Sequence, residues 1–312
     1  MDKFFKFLCW AFILIGMSAE AHLDRLVEYD EQRCSEVLQA ATLPELWNAF
    51  LTGQANLYFD PEAKWLSQES GWIKAQNILE LGSGNGTYLS RLSESFKEKV
   101  FLGIEKQAPF VEQSNAQFSR PGLAFIEGDA EILYEQYKNQ FDAVLYRLAL
   151  QHLKNPKISL ELAHQYLKND GYVFIIDAYD PAKISSHTIH SFEEASRLHN
   201  ERNRAALKGN RRITIEILEE LENENSSLSH LYEVVHTSLD VRGHRLEKGI
   251  RFESEQDRRR YFNHALLFLS ILKKSYEVPV DLAEAYRELR VYLEDDKSWI
   301  CPGLHLLVLR KI

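Results

Sequence analysis

Asn77-Ile78-Leu79-Glu80-Leu81-Gly82-Ser83-Gly84-Asn85-Gly86-Thr87 reads as a buried strand that runs into a glycine-rich turn and opens a helix. Glycines at 82, 84 and 86 let the backbone turn tightly and keep Cβ atoms out of the space that a ligand needs. A dinucleotide fingerprint would place its third glycine at 87, where the chain has Thr87, and needs no carboxylate two residues ahead of the first glycine. Glu80 stands there, at the carboxyl end of the strand, suited to a ligand that carries an ammonium or a sulfonium.

Outward from this turn the chain alternates strand and helix. Strands are predicted near 77–81, 99–105, 123–127, 141–146 and 172–177, with helices starting near Thr87, Pro109, Glu131 and Pro156. Such alternation predicts βαβ units, a parallel sheet covered by helices on both faces, and ligands at the carboxyl ends of the strands. Residues 22–76 form a helical lead-in, with apolar residues at three-and-four spacing and breaks at Pro44 and Asp60-Pro61. After Asp177 the rhythm changes to helices over Ser186–Leu207, Thr214–Glu224, Asp257–Lys274 and Val280–Leu293, with a strand over Leu231–Val241 and a closing apolar strand over Leu304–Arg310. The segments are therefore 1–21, 22–76, 77–180 and 181–312.

Acids recur at the strand ends. Glu105 ends the second strand, 105 − 80 = 25 residues after Glu80, and Asp129 follows the third, 129 − 105 = 24 residues later. Together with the E-x-G-x-G-x-G turn, with Phe141–Leu153 as a fourth strand and its following turn, and with Tyr166–Asp177 as a helix end and fifth strand, this order resembles the class I S-adenosylmethionine-dependent methyltransferases over about 77–180. The resemblance implies an α/β, Rossmann-like doubly wound fold of about seven mostly parallel strands. In that family the last two strands form a hairpin, and about sixty residues part them here, an insertion before the last strand that would serve as lid or partner surface.

The resemblance also implies the cofactor, S-adenosyl-L-methionine, and its holders: Glu80, Gly82, Ser83, Gly84 and Gly86 in the turn, Glu105 on the ribose hydroxyls, Asp129 with Ala130 at the adenine, and Arg147 at the end of the fourth strand. Each acid also has a plain structural reading, Glu105 as an exposed strand-end acid and Asp129 as a helix N-cap. Asp142 lies at the opposite end of its strand and is read as structural. His152 is the one catalytic candidate, as a general base, beside a structural role that the sequence favours. His187, His190 and His199 fall where the family builds its acceptor pocket, but without the cysteine or carboxylate pattern of a metal site, and no metal is expected.

The departures narrow the chemistry. Tyr146-Arg147-Leu148-Ala149 is neither the Asn/Asp-Pro-Pro-aromatic run of adenine or glutamine amino methylation nor a Pro-Cys nucleophile for pyrimidine C5 chemistry. The expectation is methyl transfer to a small-molecule or lipid-like acceptor by in-line displacement, with a catalytically silent cofactor-binding effector as the alternative and a nicotinamide oxidoreductase disfavoured by Thr87 and Glu80. With 46 acidic against 37 basic side chains the net charge is −9, which argues against nucleic acid as a partner. Cys9, Cys34 and Cys301 have no metal-ligand spacing and are read as free thiols.

At the amino terminus a short basic start, an apolar run from Phe7 to Met17 and Ala19-Glu20-Ala21 have the form of a signal peptide. That run is shorter than the roughly 20 residues of a membrane span. Export or membrane contact through residues 4–18 is therefore set against a cofactor made in the cytosol, and localisation stays open between the two.

Overall fold

A computed structural model of the chain describes residues 20–180, 183–206, 209–238, 250–251 and 254–312. The expectation for the amino-terminal apolar run lies outside the described residues, as do residues 239–241 of the strand predicted to end at Val241. No described helix is long and apolar enough to cross a membrane.

The predicted strands form β1 (Asn77–Leu81), β2 (Val100–Glu105), β3 (Leu123–Glu127), β4 (Phe141–Arg147), β5 (Leu167–Ala178), β7 (Tyr232–Ser238) and β10 (Leu304–Lys311). They make one sheet in the order β3-β2-β1-β4-β5-β10-β7. Neighbours among β1 to β5 are parallel, whereas β10 runs antiparallel to both β5 and β7. Val144, Leu145 and Tyr146 are all fully buried, as expected for a central parallel strand covered on both faces. The strand order reverses at β1, whose neighbours are β2 on one side and β4 on the other. That reversal opens a crevice at the carboxyl end of β1, where the glycine-rich turn lies. At the other end Asp142 accepts from the backbone N–H groups of Gln76 and Asn77, at 3.0 and 2.8 Å, and pairs with Lys168, a structural tie as expected.

Helices α1 (Glu31–Ala40), α2 (Leu43–Leu66) and α3 (Ser70–Lys74) precede the sheet. Helices α4 (Thr87–Ser95), α5 (Ala108–Phe118) and α6 (Pro156–Tyr166) connect its strands, and α7 (His190–Ala206), α8 (Ile213–Glu222), α9 (Glu255–Ser275) and α10 (Leu282–Leu289) follow. Asp30, Ser254 and Asp281 cap α1, α9 and α10 through side-chain oxygens that accept backbone N–H groups of the first turn.

Three local expectations need correction, and one small sheet has no counterpart among the expectations. No α-helix starts at Glu131; a single 3-10 turn, Glu135–Tyr137, takes its place. Side chains have claimed the backbone groups that a helix would use: the Asp129 carboxylate accepts from Glu131 N–H, and the Tyr166 hydroxyl accepts from Tyr134 N–H and donates to the Ile132 carbonyl. The break at Asp60-Pro61 does not occur, because α2 runs through Pro61. Proline removes one intrahelical donor there, and burial of Phe59, Glu62, Trp65 and Leu66 around it holds the helix. The fifth strand starts at Leu167 rather than 172; a register shift opposite Phe141–Ala143 and a left-handed Asp170 (φ 59°) carry pairing back to that point. Finally, β6 (Ile184–Ser185), β8 (Ile250–Arg251) and β9 (Trp299–Cys301) form a small antiparallel sheet, too short in each strand to leave a period in the sequence.

The chain divides into two compact units that interleave along it. One comprises 58–186, 200–251 and 299–312 and contains the seven-stranded sheet. The other, 1–57, 187–199 and 252–298, is helical where described, with α9 buried at Phe262, Leu266, Leu269 and Leu272 and the Phe50 ring stacked 4.4 Å from that of His264.

Candidate functional site

The turn after β1 has its three glycines in the left-handed region, Gly82 at φ 82°, Gly84 at 56° and Gly86 at 74°. A Cβ at Gly82 would stand 2.8 Å from that of Ala149, and one at Gly86 would stand 2.6 Å from Ser114 Oγ. At those two positions the protein itself fills the space that the missing side chains leave. The turn is closed by the N–H groups of Gly82 and Ser83, both donating to the Ile104 carbonyl, at 2.8 and 3.1 Å. Gly84 N–H donates to Glu105 Oε2 at 2.9 Å, so the acid at the end of β2 braces the turn at the end of β1. Glu105 Oε1 accepts from Gln107 N–H at 2.9 Å. Each carboxylate oxygen can accept two bonds, so the brace leaves Glu105 acceptor capacity for a ligand.

Under the turn lies a buried charged cluster. Glu80 is 2% exposed, and its Oε2 accepts no hydrogen bond, a condition it shares with the buried hydroxyl of Ser83. Burial pushes the Glu80 carboxyl up to about 8, against the pull of the Arg147 guanidinium and with added repulsion from Glu105 and Glu62. Arg147, at the end of β4, donates to Glu62 through Nε at 2.6 Å and through Nη2 at 3.3 Å. Its guanidinium lies over the Tyr88 ring, 4.1 Å from the centroid.

Asp129 follows β3, half-buried, with Oδ2 2.7 Å from the ammonium of Lys106 and Oδ1 accepting from Glu131 N–H at 2.9 Å. The Lys106 hydrogen bond holds its carboxyl below the ordinary range. With no helix behind it, Asp129 caps a turn rather than a helix. Ala130 is buried, and its carbonyl accepts from Ser159 Oγ at 2.9 Å.

At the ends of β4 and β5, His152 closes the 3-10 turn Leu150–His152 with an exposed side chain, its N–H donating to the Ala149 carbonyl. Asp177 is fully buried and accepts from Gln151 N–H at 3.2 Å; burial raises its carboxyl to about 6 despite that bond. Arg211 donates to Asp180 at 2.9 Å and to Gln151 Oε1 at 2.7 Å. The structure does not gather the three histidines that the sequence singles out: His187 meets Asp295 at 2.8 Å, the His199 ring lies edge-on to Tyr276, and His190 opens α7. Among the described residues no three His, Cys, Asp or Glu side chains could hold a metal ion together.

The structure thus brings Glu80, Ser83, Gly84, Glu105 and Arg147 to one strand-end crevice, with Asp129 and Lys106 at the end of the next strands. Sequence reasoning missed Glu62, Lys106 and Arg211. Lys106 directly follows Glu105 and was open to notice. Glu62 carries no local signal, since its partner is 85 positions away.

A family described as a methyltransferase domain matches residues 74–238. A fatty-acid O-methyltransferase of Mycolicibacterium smegmatis is 30% identical over 108 residues, which are 34% of this chain and 38% of that protein. A 2-phytyl-1,4-naphtoquinone methyltransferase of Nostoc punctiforme is 26% identical over 136 residues, 42% of this chain and 56% of the relative. The chain therefore matches between 38% and 56% of the length of these relatives. Among solved structures, that of the plantazolicin methyltransferase BpumL in complex with SAH overlaps 94% of this chain and 95% of its own, with a TM-score of 0.47 at 15% identity.

Proposed function

Since the chain belongs to the methyltransferase-domain family, we propose that it transfers a methyl group from S-adenosylmethionine to a small, lipid-like acceptor by in-line displacement. One observation carries the cofactor: a buried carboxylate, Glu80, with an oxygen that accepts no hydrogen bond at the mouth of a glycine-rich turn. An orphaned buried acceptor is costly unless something occupies it, and a ligand with an ammonium or sulfonium answers that need. Glu105 would take the ribose hydroxyls with the acceptor capacity that its backbone bonds leave, Asp129 would take the adenine amino group in exchange for Lys106, and Ser83 and Ala130 would line the two ends.

Bound there, S-adenosylmethionine supplies a methyl already activated by its sulfonium. What remains for the protein is alignment and exclusion of water. His152, exposed on the 3-10 turn after β4, would accept a proton only from an acceptor that arrives protonated. The lipid-like acceptor is supported by relatives named for fatty-acid, naphtoquinone and ubiquinone-pathway methylation.

Calorimetry with S-adenosylmethionine, S-adenosylhomocysteine and NADH tests the cofactor, with binding of the first two and not the third expected. Labelled methyl transfer to fatty acids, polyprenyl quinols and a total lipid extract tests the acceptor. Transfer confined to water-soluble amines would overturn the lipid-like reading, and cofactor binding without any transfer would leave a binding protein.

A further inference from the structure

Glu62 stands outside the glycine-rich motif, on α2, yet it is fully enclosed, its side chain 0% exposed. Through Nε and Nη2 of Arg147 it holds one edge of the guanidinium, while the flat face of that group lies against Tyr88. Arg147 ends β4, Glu80 lies one residue before the end of the neighbouring β1, and Arg147 acts on Glu80 through its charge. A buried guanidinium so close to a buried carboxylate would ordinarily bond it, because the alternative leaves an acceptor unsatisfied. Here Glu80 Oε2 accepts nothing.

We infer that Glu62 is a positioning residue for the positive end of the cofactor: by clamping Arg147 it keeps the guanidinium from neutralising Glu80 and reserves that carboxylate for the ligand. The inference rests on the proposed reading of the crevice as an S-adenosylmethionine site. Glu62 and Arg147 cancel as a pair, so the negative charge left for a cationic ligand is that of Glu105 and of Glu80 once the ligand has displaced its proton. Without Glu62, Arg147 turns to Glu80, and the crevice loses one unit of the negative charge that draws a cationic ligand.

The test measures affinities for two probes, S-adenosylmethionine and 5′-methylthioadenosine, which keeps the nucleoside and the sulfur but lacks the ammonium and the sulfonium. Glu62→Gln is expected to weaken S-adenosylmethionine binding about tenfold or more, as befits a unit charge restored a few ångströms away in a half-desolvated site, and to change methylthioadenosine binding by less than about threefold. Glu62→Gln with Arg147→Met, which removes the released cation, should bind S-adenosylmethionine at least about threefold more tightly than Glu62→Gln alone. Should Glu62→Gln not fold, Glu62→Asp, which keeps the charge but draws the clamp back by one methylene, is expected to show the same selective loss at smaller size. Equal losses for both probes, or no recovery in the double variant, would make Glu62 merely structural and overturn the inference while the cofactor reading stands. Failure of the wild-type protein to bind either probe would overturn both.

Discussion

Gly84 combines a left-handed backbone with an N–H committed to Glu105. A β-branched residue tolerates that φ poorly, so Gly84→Val is expected to abolish binding of S-adenosylhomocysteine and to lower the melting temperature while the sheet still folds. Calorimetry beside thermal melting checks it, and unchanged affinity would remove the cradle. Glu80 offers a pH test. With its carboxyl raised to about 8, the free protein holds a proton there at neutral pH, and a cationic ligand must displace it. Affinity for S-adenosylmethionine should therefore strengthen as pH rises toward about 8 and level off above it, and Glu80→Gln should flatten the profile. Calorimetry at three pH values in buffers of different ionisation enthalpy reads the released proton directly. Glu80 and the glycines were legible in the sequence because they are spaced along a few consecutive residues. Glu62 was not, because an ion pair between a helix and a strand 85 positions apart leaves no local pattern.

Among the elements, strands were legible wherever burial forced continuous apolar runs, as in β4 and β10. Elements decided by particular side chains were not. The absent helix after Glu131 depends on hydroxyl and carboxylate bonds from Tyr166 and Asp129, and the survival of α2 past Pro61 depends on what buries its last turns. Proline in a helix interior costs about 3 kcal/mol, so Pro61→Ala is expected to raise stability by about 1 to 3 kcal/mol in chemical denaturation, with cofactor affinity unchanged. A fall in stability would mean that the proline stiffens the unfolded chain more than it weakens the helix.

For the whole molecule, buried titratable groups set opposed responses to pH. His305 on β10 is buried, its Nε2 2.8 Å from Thr237 Oγ1, and burial lowers it from 6.5 to about 4. A histidine kept neutral in the fold contributes stability that is present above 6.5 and lost as pH falls toward 4. Glu80, raised from 4.5 to about 8, and Asp177, raised from 3.8 to about 6, act the other way. They favour the fold when protonated, and that stability is lost as pH rises through those intervals. His305→Gln is expected to shrink the loss of melting temperature between pH 6.5 and 4, while Asp177→Asn should shrink the loss between about 4 and 6 on the rising side. Melting curves across pH 4 to 8 compare the slopes, and an unaltered acid limb in His305→Gln would place the acid sensitivity elsewhere.

The position of β10 bears on how the gene can be cut. The segment that matches the family ends at 238, at the last described residue of β7, whereas among the described residues β7 pairs only with the strand Leu304–Lys311. A clone trimmed to the recognisable region would keep every residue of the glycine-rich turn and still lack the shared neighbour of β5 and β7. It would present two unpaired edges to other chains, a setting for aggregation. Expression of 74–238 is expected to yield insoluble protein, and supplying 299–312 as a separate peptide should recover soluble material, as a missing plank does when slid back into a floor.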